Sequence, residues 1–340
     1  MKIIYEKNKI PGISYVIARN GLELPVIDIT HPSFKVNPDE KELKELEQKL
    51  INDGEKSRKI PPLLRKIIVF FLLRRSYLGR GIMSSANTFT TGMTIYLLKL
   101  GAENLGSYAT FMDKNIAGGL AGLGIRMRLQ DMANLLAEGL KPLLIKKPSL
   151  PLHFINIGGG PSMDTLNTLI LLNKEVPVNL KREIKIHLLD LDTDGSDFAM
   201  NSLKALQSTG GALEGLKADM VIRKHDWNNF VKLESYLIEN LPDNSVVAVS
   251  SEGGIFDYCT DEVLFSIMRS IYKGTPEDVF MAGTLSIRDN ISRRYNMFPS
   301  SSIERDFNEF SEAISKQGWK VEKHLFEPFN ISIGMKKMVY

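Results

Sequence analysis

Three successive glycines, Gly158, Gly159 and Gly160, separate the apolar run "HFINI" from a segment of helical periodicity that starts at Pro161. Bare backbone at such a junction lets N–H groups approach a ligand, and the helix N-terminus favours negative charge there. Pro161 suits the first helical turn, where a missing N–H costs little. The dinucleotide fingerprint needs a third small residue at Met163 or Asp164, and a P-loop needs Gly-Lys-Ser/Thr; neither is present. Further along, "KIHLLDLD" ends the next β-rich run with Asp190, Leu191 and Asp192. "IRKHDWNN" then supplies Asp226 and Trp227, and "AVSSEGGIFDY" supplies Ser251, Glu252, Phe256 and Tyr258. A carboxylate at the C-terminal edge of a strand can accept both hydroxyls of a ribose.

These residues fall at the ends of β-rich runs that alternate with helical stretches after "KKPSLP", the grammar of an α/β domain with a mainly parallel sheet. The C-terminal "KVEKHLFEP" and "NISIGMKKMVY" are joined by a short turn, which forces antiparallel pairing because a parallel return needs a long crossover. Residues 1–147 read as a mostly helical domain, and 148–340 as the α/β domain. A charged helix starts at Pro38-Asp39-Glu40, and a second starts at Pro61-Pro62.

The residues "NIGGGPS" resemble the first motif of class I S-adenosylmethionine-dependent methyltransferases, acidic-x-Gly-x-Gly-x-Gly, with Asn156, Gly158, Gly160 and Ser162 at the key positions. Asn156 stands where the family has a carboxylate, and Ser162 where it has the last glycine. The terminal helix, strand, turn and strand match the family's closing order. The resemblance covers about residues 150–340 and implies a Rossmann-like, seven-stranded, mainly parallel sheet ending in an antiparallel hairpin. It implies S-adenosylmethionine as cofactor and S-adenosylhomocysteine as product, held by Asn156, Gly158, Gly159, Gly160, Pro161, Asp190, Leu191, Asp192, Asp226, Trp227, Ser251 and Glu252. Asp190 would take the ribose, Asp226 the adenine amino group, and Trp227 the ring face, where stacking adds to burial.

Glu252 and Tyr258 are the candidates for a general base, and Phe256 and Tyr258 could face a methyl acceptor. The segment "SYLGRGIMSSANTFTTG" adds Tyr77, Arg80, Met83 and Asn87 as candidate acceptor contacts. The acceptor expected is a small or medium organic molecule, with O-, N- or C-methylation left open. Two other readings stay open: an NAD(P)-dependent oxidoreductase, and a non-catalytic nucleoside-binding protein on the same fold.

Composition narrows the partners. With 43 basic and 40 acidic residues the net charge is +3, so no global field draws nucleic acid or membrane. The basic stretch Lys56–Arg80 reads as a solvated helix face, and "IIVFFLL" (Ile67–Leu73) as a buried helix segment too short to span a bilayer. Burial of that run could make a homodimer through the N-terminal helices. The lone Cys259 excludes an intramolecular disulfide and suits a reducing, cytoplasmic setting. Charges inside the only apolar stretch of the first twenty residues argue against a signal peptide. The five histidines are scattered and form no metal-ligand pattern. His225 reads as an outward-facing polar residue.

Overall fold

The computed structural model describes residues 2–84, 90–287, 302–327 and 330–338. Seven strands form the central sheet: β3 (Leu152–Ile157), β4 (Ile184–Asp190), β5 (Ala218–Lys224), β6 (Val246–Ser251), β7 (Val279–Ser286), β8 (Trp319–Phe326) and β9 (Asn330–Lys337). Their order is β5-β4-β3-β6-β7-β9-β8. The first five run parallel, and β9 inserts antiparallel between β7 and β8. The order in which strands are added reverses at β3, with β4 on one side and β6 on the other, so the loops after β3 and β6 flank the crevice where open α/β sheets bind ligands. This is the expected Rossmann-like, mainly parallel sheet ending in an antiparallel hairpin. β3 and β6 are buried along their whole length, as expected of central parallel strands covered by helices on both faces.

The helices after the strands carry their own start signals. Asp192 caps α9 (Thr193–Gln207), accepting from the N–H groups of Asp194 and Gly195. α7 (Leu120–Lys146) is the longest helix and packs across β6, β7, β9 and α8 (Met163–Glu175). Gly139 lets it approach, since a Cβ there would lie 2.4 Å from the Phe280 ring.

The N-terminal region is helical from α1 (Glu40–Arg58) onward. Before that, β1 (Tyr15–Ile17) and β2 (Glu23–Pro25) form a small antiparallel pair packed on α9. Asn167 of α8 clamps the next segment, accepting from Ile29 N–H at 2.8 Å and donating to the Ile27 carbonyl at 3.0 Å. Leu22, Leu24 and Ile27 therefore share one hydrophobic core with Phe154, Leu166 and Ile186. The segment from Val16 to Phe34 thus shares a core with the α/β unit.

α2 (Pro62–Arg74) departs from expectation. None of its residues is buried, and Phe70 and Phe71 are 45% and 55% exposed. The reason is geometric: seven successive apolar residues cover the whole circumference of a helix, and α2 meets mainly α3 (Tyr77–Ser84), its neighbour in the chain. No described helix is long and apolar enough to cross a membrane.

Candidate ligand site at the sheet edge

The loop after β3 turns through left-handed backbone at Gly158 (φ 64°), Gly160 (φ 53°) and Ser162 (φ 55°) before α8 begins. Glycine adopts this region without strain, which explains the first and third glycines. The middle one serves packing, because a Cβ on Gly159 would sit 2.0 Å from Asn156 Oδ1. Asp190 locks the loop: its Oδ2 accepts from Gly160 N–H at 2.8 Å and its Oδ1 from Asp192 N–H at 2.8 Å. Burial pushes its carboxyl up, and these N–H bonds oppose the rise. A carboxylate has about four acceptor sites, so Asp190 retains capacity toward a ligand.

Asp192 has a different task. Besides capping α9, its Oδ2 accepts from Gly92 N–H at 3.0 Å, at the start of α4 (Gly92–Lys99). Gly92 and Gly160 meet backbone to backbone, where a Cβ on either would come within 2.8 Å of the other's Cα. The N-terminal region thus forms a wall directly against the glycine loop.

Beside that loop lie apolar groups with exposed surface. Leu191 is 49% exposed. The half-buried Trp227 ring lies over Gly158 and runs parallel to Tyr258, with centroids 6.5 Å apart and planes within 1°. Asp226 is exposed and folds onto its own turn, accepting from the Asn228 backbone and side chain. Burial pushes the Tyr258 phenol up, and Asp257 adds to this, so Tyr258 keeps its proton at neutral pH. His225 is buried, and burial holds its imidazole below the usual range.

Glu252 sits in a buried ion network. Its Oε2 is 2.8 Å from Lys99 Nζ of α4, and its Oε1 is 3.3 Å from Arg128 Nε of α7. Arg128 also pairs with Asp257 at 3.7 Å. Both oxygens of Glu252 face cations, which fix the position of the carboxylate. With both oxygens engaged, Glu252 is placed as a positioning group that ties α4 and α7 to the end of β6.

One layer below, Asn156 Nδ2 lies 2.9 Å from Asp164 Oδ1, 3.1 Å from Thr165 Oγ1 and 2.9 Å from Ser250 Oγ. The amide therefore ties the end of β3 to α8 and β6. Asn156 Oδ1, Ser162 Oγ and Asp164 Oδ2 are buried without a hydrogen-bond partner. Burial, with the Glu252 charge adding, raises the Asp164 carboxyl from 3.8 to about 6. Because the folded value lies above the unfolded one, the native state holds an extra proton between the two. Stability then falls as pH rises from about 4 to about 6, and above that the deficit is complete, on the order of 3 kcal/mol. Asp164→Asn is expected to raise the melting temperature near pH 8 and to change it little near pH 4, with thermal unfolding at both pH values as the check.

Two expected contacts are redirected. Phe256 is fully buried against Gly283 and Phe310, in the core behind the site, and cannot face an acceptor. The Ser251 hydroxyl donates to the Ile157 carbonyl at 2.8 Å and accepts from Ile255 N–H at 3.0 Å, so it staples β3 to the turn after β6. Tyr77 stacks edge-on against Tyr108, with the exposed Arg80 over its ring. Met83 is half-buried near the end of α3, and Asn87 lies outside the described residues. Burial pushes the Cys259 thiol up to about 12, which leaves it unreactive. Sequence reading missed Lys99, Arg128, Gly92 and Asp164. The one local signal was a charge inside an apolar helical stretch, as in "YLLKL".

No family model and no curated protein matches the chain. Solved structures do. A possible exported protein from Bordetella parapertussis is 12% identical with a TM-score of 0.58, covering 87% of this chain and 94% of its own. An S-adenosylmethionine-dependent methyltransferase from Clostridium acetobutylicum is 10% identical with a TM-score of 0.40, covering 61% of this chain and 92% of its own. The pyocyanin biosynthetic protein PhzM is 16% identical with a TM-score of 0.40, covering 65% and 58%. At these identities the likeness is one of fold.

Proposed function

We propose that the chain binds S-adenosylmethionine along the C-terminal edges of β3 to β6 and transfers its methyl group to a small or medium organic acceptor. The observation that carries this reading is one juxtaposition. A left-handed glycine loop is locked by Asp190, beside Leu191 and the parallel Trp227–Tyr258 rings. The residues fit the ligand's parts. The backbone of Gly158–Pro161 would hold the amino-acid end, Asp190 the ribose, and Leu191, Asp226 and Trp227 the adenine. The bulky, buried Met163 at the third fingerprint position speaks against a dinucleotide pyrophosphate there.

When bound, the cofactor supplies a methyl group already attached to a good leaving group. The chain's own residues then need mainly to orient the acceptor and exclude water, effects that reach about 7–11 kcal/mol in favourable cases. Glu252, fixed by Lys99 and Arg128, would set a carboxylate on the side of the cationic sulfur. Tyr258, protonated, can line the acceptor side and donate a hydrogen bond.

Two tryptophans make the site visible, because Trp227 is half-buried at the edge and Trp319 is fully buried in the core. Adding S-adenosylhomocysteine is expected to give a saturable change in tryptophan fluorescence that Trp227→Phe abolishes. A signal that survives Trp227→Phe, or no signal from the folded protein, counts against this placement of the adenine.

A further inference from the structure

We propose that α2 is a membrane-docking helix that lies in the headgroup region of an anionic bilayer. Ile67, Ile68, Val69, Phe70, Phe71 and Leu72 are successive residues and all exposed, so the helix offers apolar surface around its whole circumference. A contiguous patch of this kind on a soluble fold marks an interaction surface. Its surroundings select the occupant. Residues 56–80 contain eight Lys or Arg and no Asp or Glu, although the whole chain carries only +3, so the basic charge is concentrated here and the rest of the chain is net acidic.

A second copy of the chain fits poorly. Two-fold pairing sets a patch against itself, and this segment would bring like charges together with no acid of its own to pair them. A bilayer containing anionic lipid complements both features. The apolar side chains enter the boundary of the acyl region, while Arg65, Lys66, Arg74 and Arg75, in pairs flanking the apolar run, extend to the phosphates. Length fixes the mode: the helix has 13 residues, about 20 Å at 1.5 Å per residue. The hydrocarbon core is about 30 Å thick, so α2 lies in the interface and does not cross it. The inference concerns α2 alone and stands whether or not the chain transfers methyl groups.

The test is co-sedimentation of the full chain with large vesicles. One set is phosphatidylcholine alone, and the other is equal parts phosphatidylcholine and phosphatidylglycerol. Binding is expected to the mixed vesicles, at least about tenfold stronger than to phosphatidylcholine and weakened by added salt. Phe70→Ser with Phe71→Ser, and separately Arg74→Glu with Arg75→Glu, should each lower it about tenfold or more. Because these side chains are exposed, both variants should melt at the parent's temperature. Three results would overturn the proposal: no binding to either vesicle, equal binding by the Phe70/Phe71 variant, or a dimer in solution that this variant dissociates. The last would assign α2 to self-association.

Discussion

Glu252→Gln is expected to lower the melting temperature by several degrees, the largest loss from any single change of similar shape at the site. The substitution keeps the volume but removes the charge that Lys99 and Arg128 both face inside the protein. Breaking a buried pair by deleting one partner costs about 3–5 kcal/mol, because the remaining charge is left uncompensated. For 340 residues, with an unfolding entropy of about 2.1 cal/mol/K per residue, that corresponds to roughly 4–7 °C. Lys99→Met combined with Glu252→Gln removes both charges of the shorter pair. The double variant should therefore be more stable than the sum of the two single losses implies. Thermal unfolding of the two single variants and the double variant measures this coupling. If Glu252→Gln melts with the parent, the network does not join α4 and α7 to the sheet edge in solution.

Gly160→Ala should be the second severe change, and the comparison with Gly158→Ala identifies the cause. Both glycines have positive φ, so both substitutions carry a left-handed penalty of about 1–2 kcal/mol. Their neighbours differ. A Cβ on Gly158 meets the Trp227 ring at 2.7 Å, and a side chain can turn aside. A Cβ on Gly160 meets the Gly92 Cα at 2.8 Å, and backbone yields only by moving α4 off the loop. Overpacking of that kind adds about 1–3 kcal/mol. Gly160→Ala should thus be the less stable of the two, while Gly158→Ala should disturb Trp227 fluorescence more. Equal melting temperatures would mean that α4 does not rest on the glycine loop.

The fold was largely legible because the sequence writes it locally. Each strand of the sheet is a short β-rich run, and the short connection between β8 and β9 admits only antiparallel pairing. The residues of the candidate edge could be placed for the same reason, since Asp190 ends β4, Leu191 follows it, and Trp227 lies in the turn after β5. Partners far along the chain were not legible. Lys99 and Arg128 lie 153 and 124 residues from Glu252, and nothing near "SSEGG" announces that both carboxylate oxygens are taken. Ser251 and Phe256 were misdirected by the same limit: being next to a strand end does not say whether a side chain faces the crevice or the core. α2 failed for a different reason. A run of seven apolar residues has no periodicity, so composition alone suggested burial, whereas among the described residues α2 meets mainly α3 and stays exposed.

The central claim is that the sheet edge around Gly158–Gly160 and Asp190 is an S-adenosylmethionine site. Calorimetric titration of the full chain with S-adenosylmethionine, S-adenosylhomocysteine and NADH tests it most directly. The expected result is saturable one-to-one binding of the first two and no heat from NADH. Binding of NADH alone, or of none of the three by a protein that melts cooperatively, would contradict the claim.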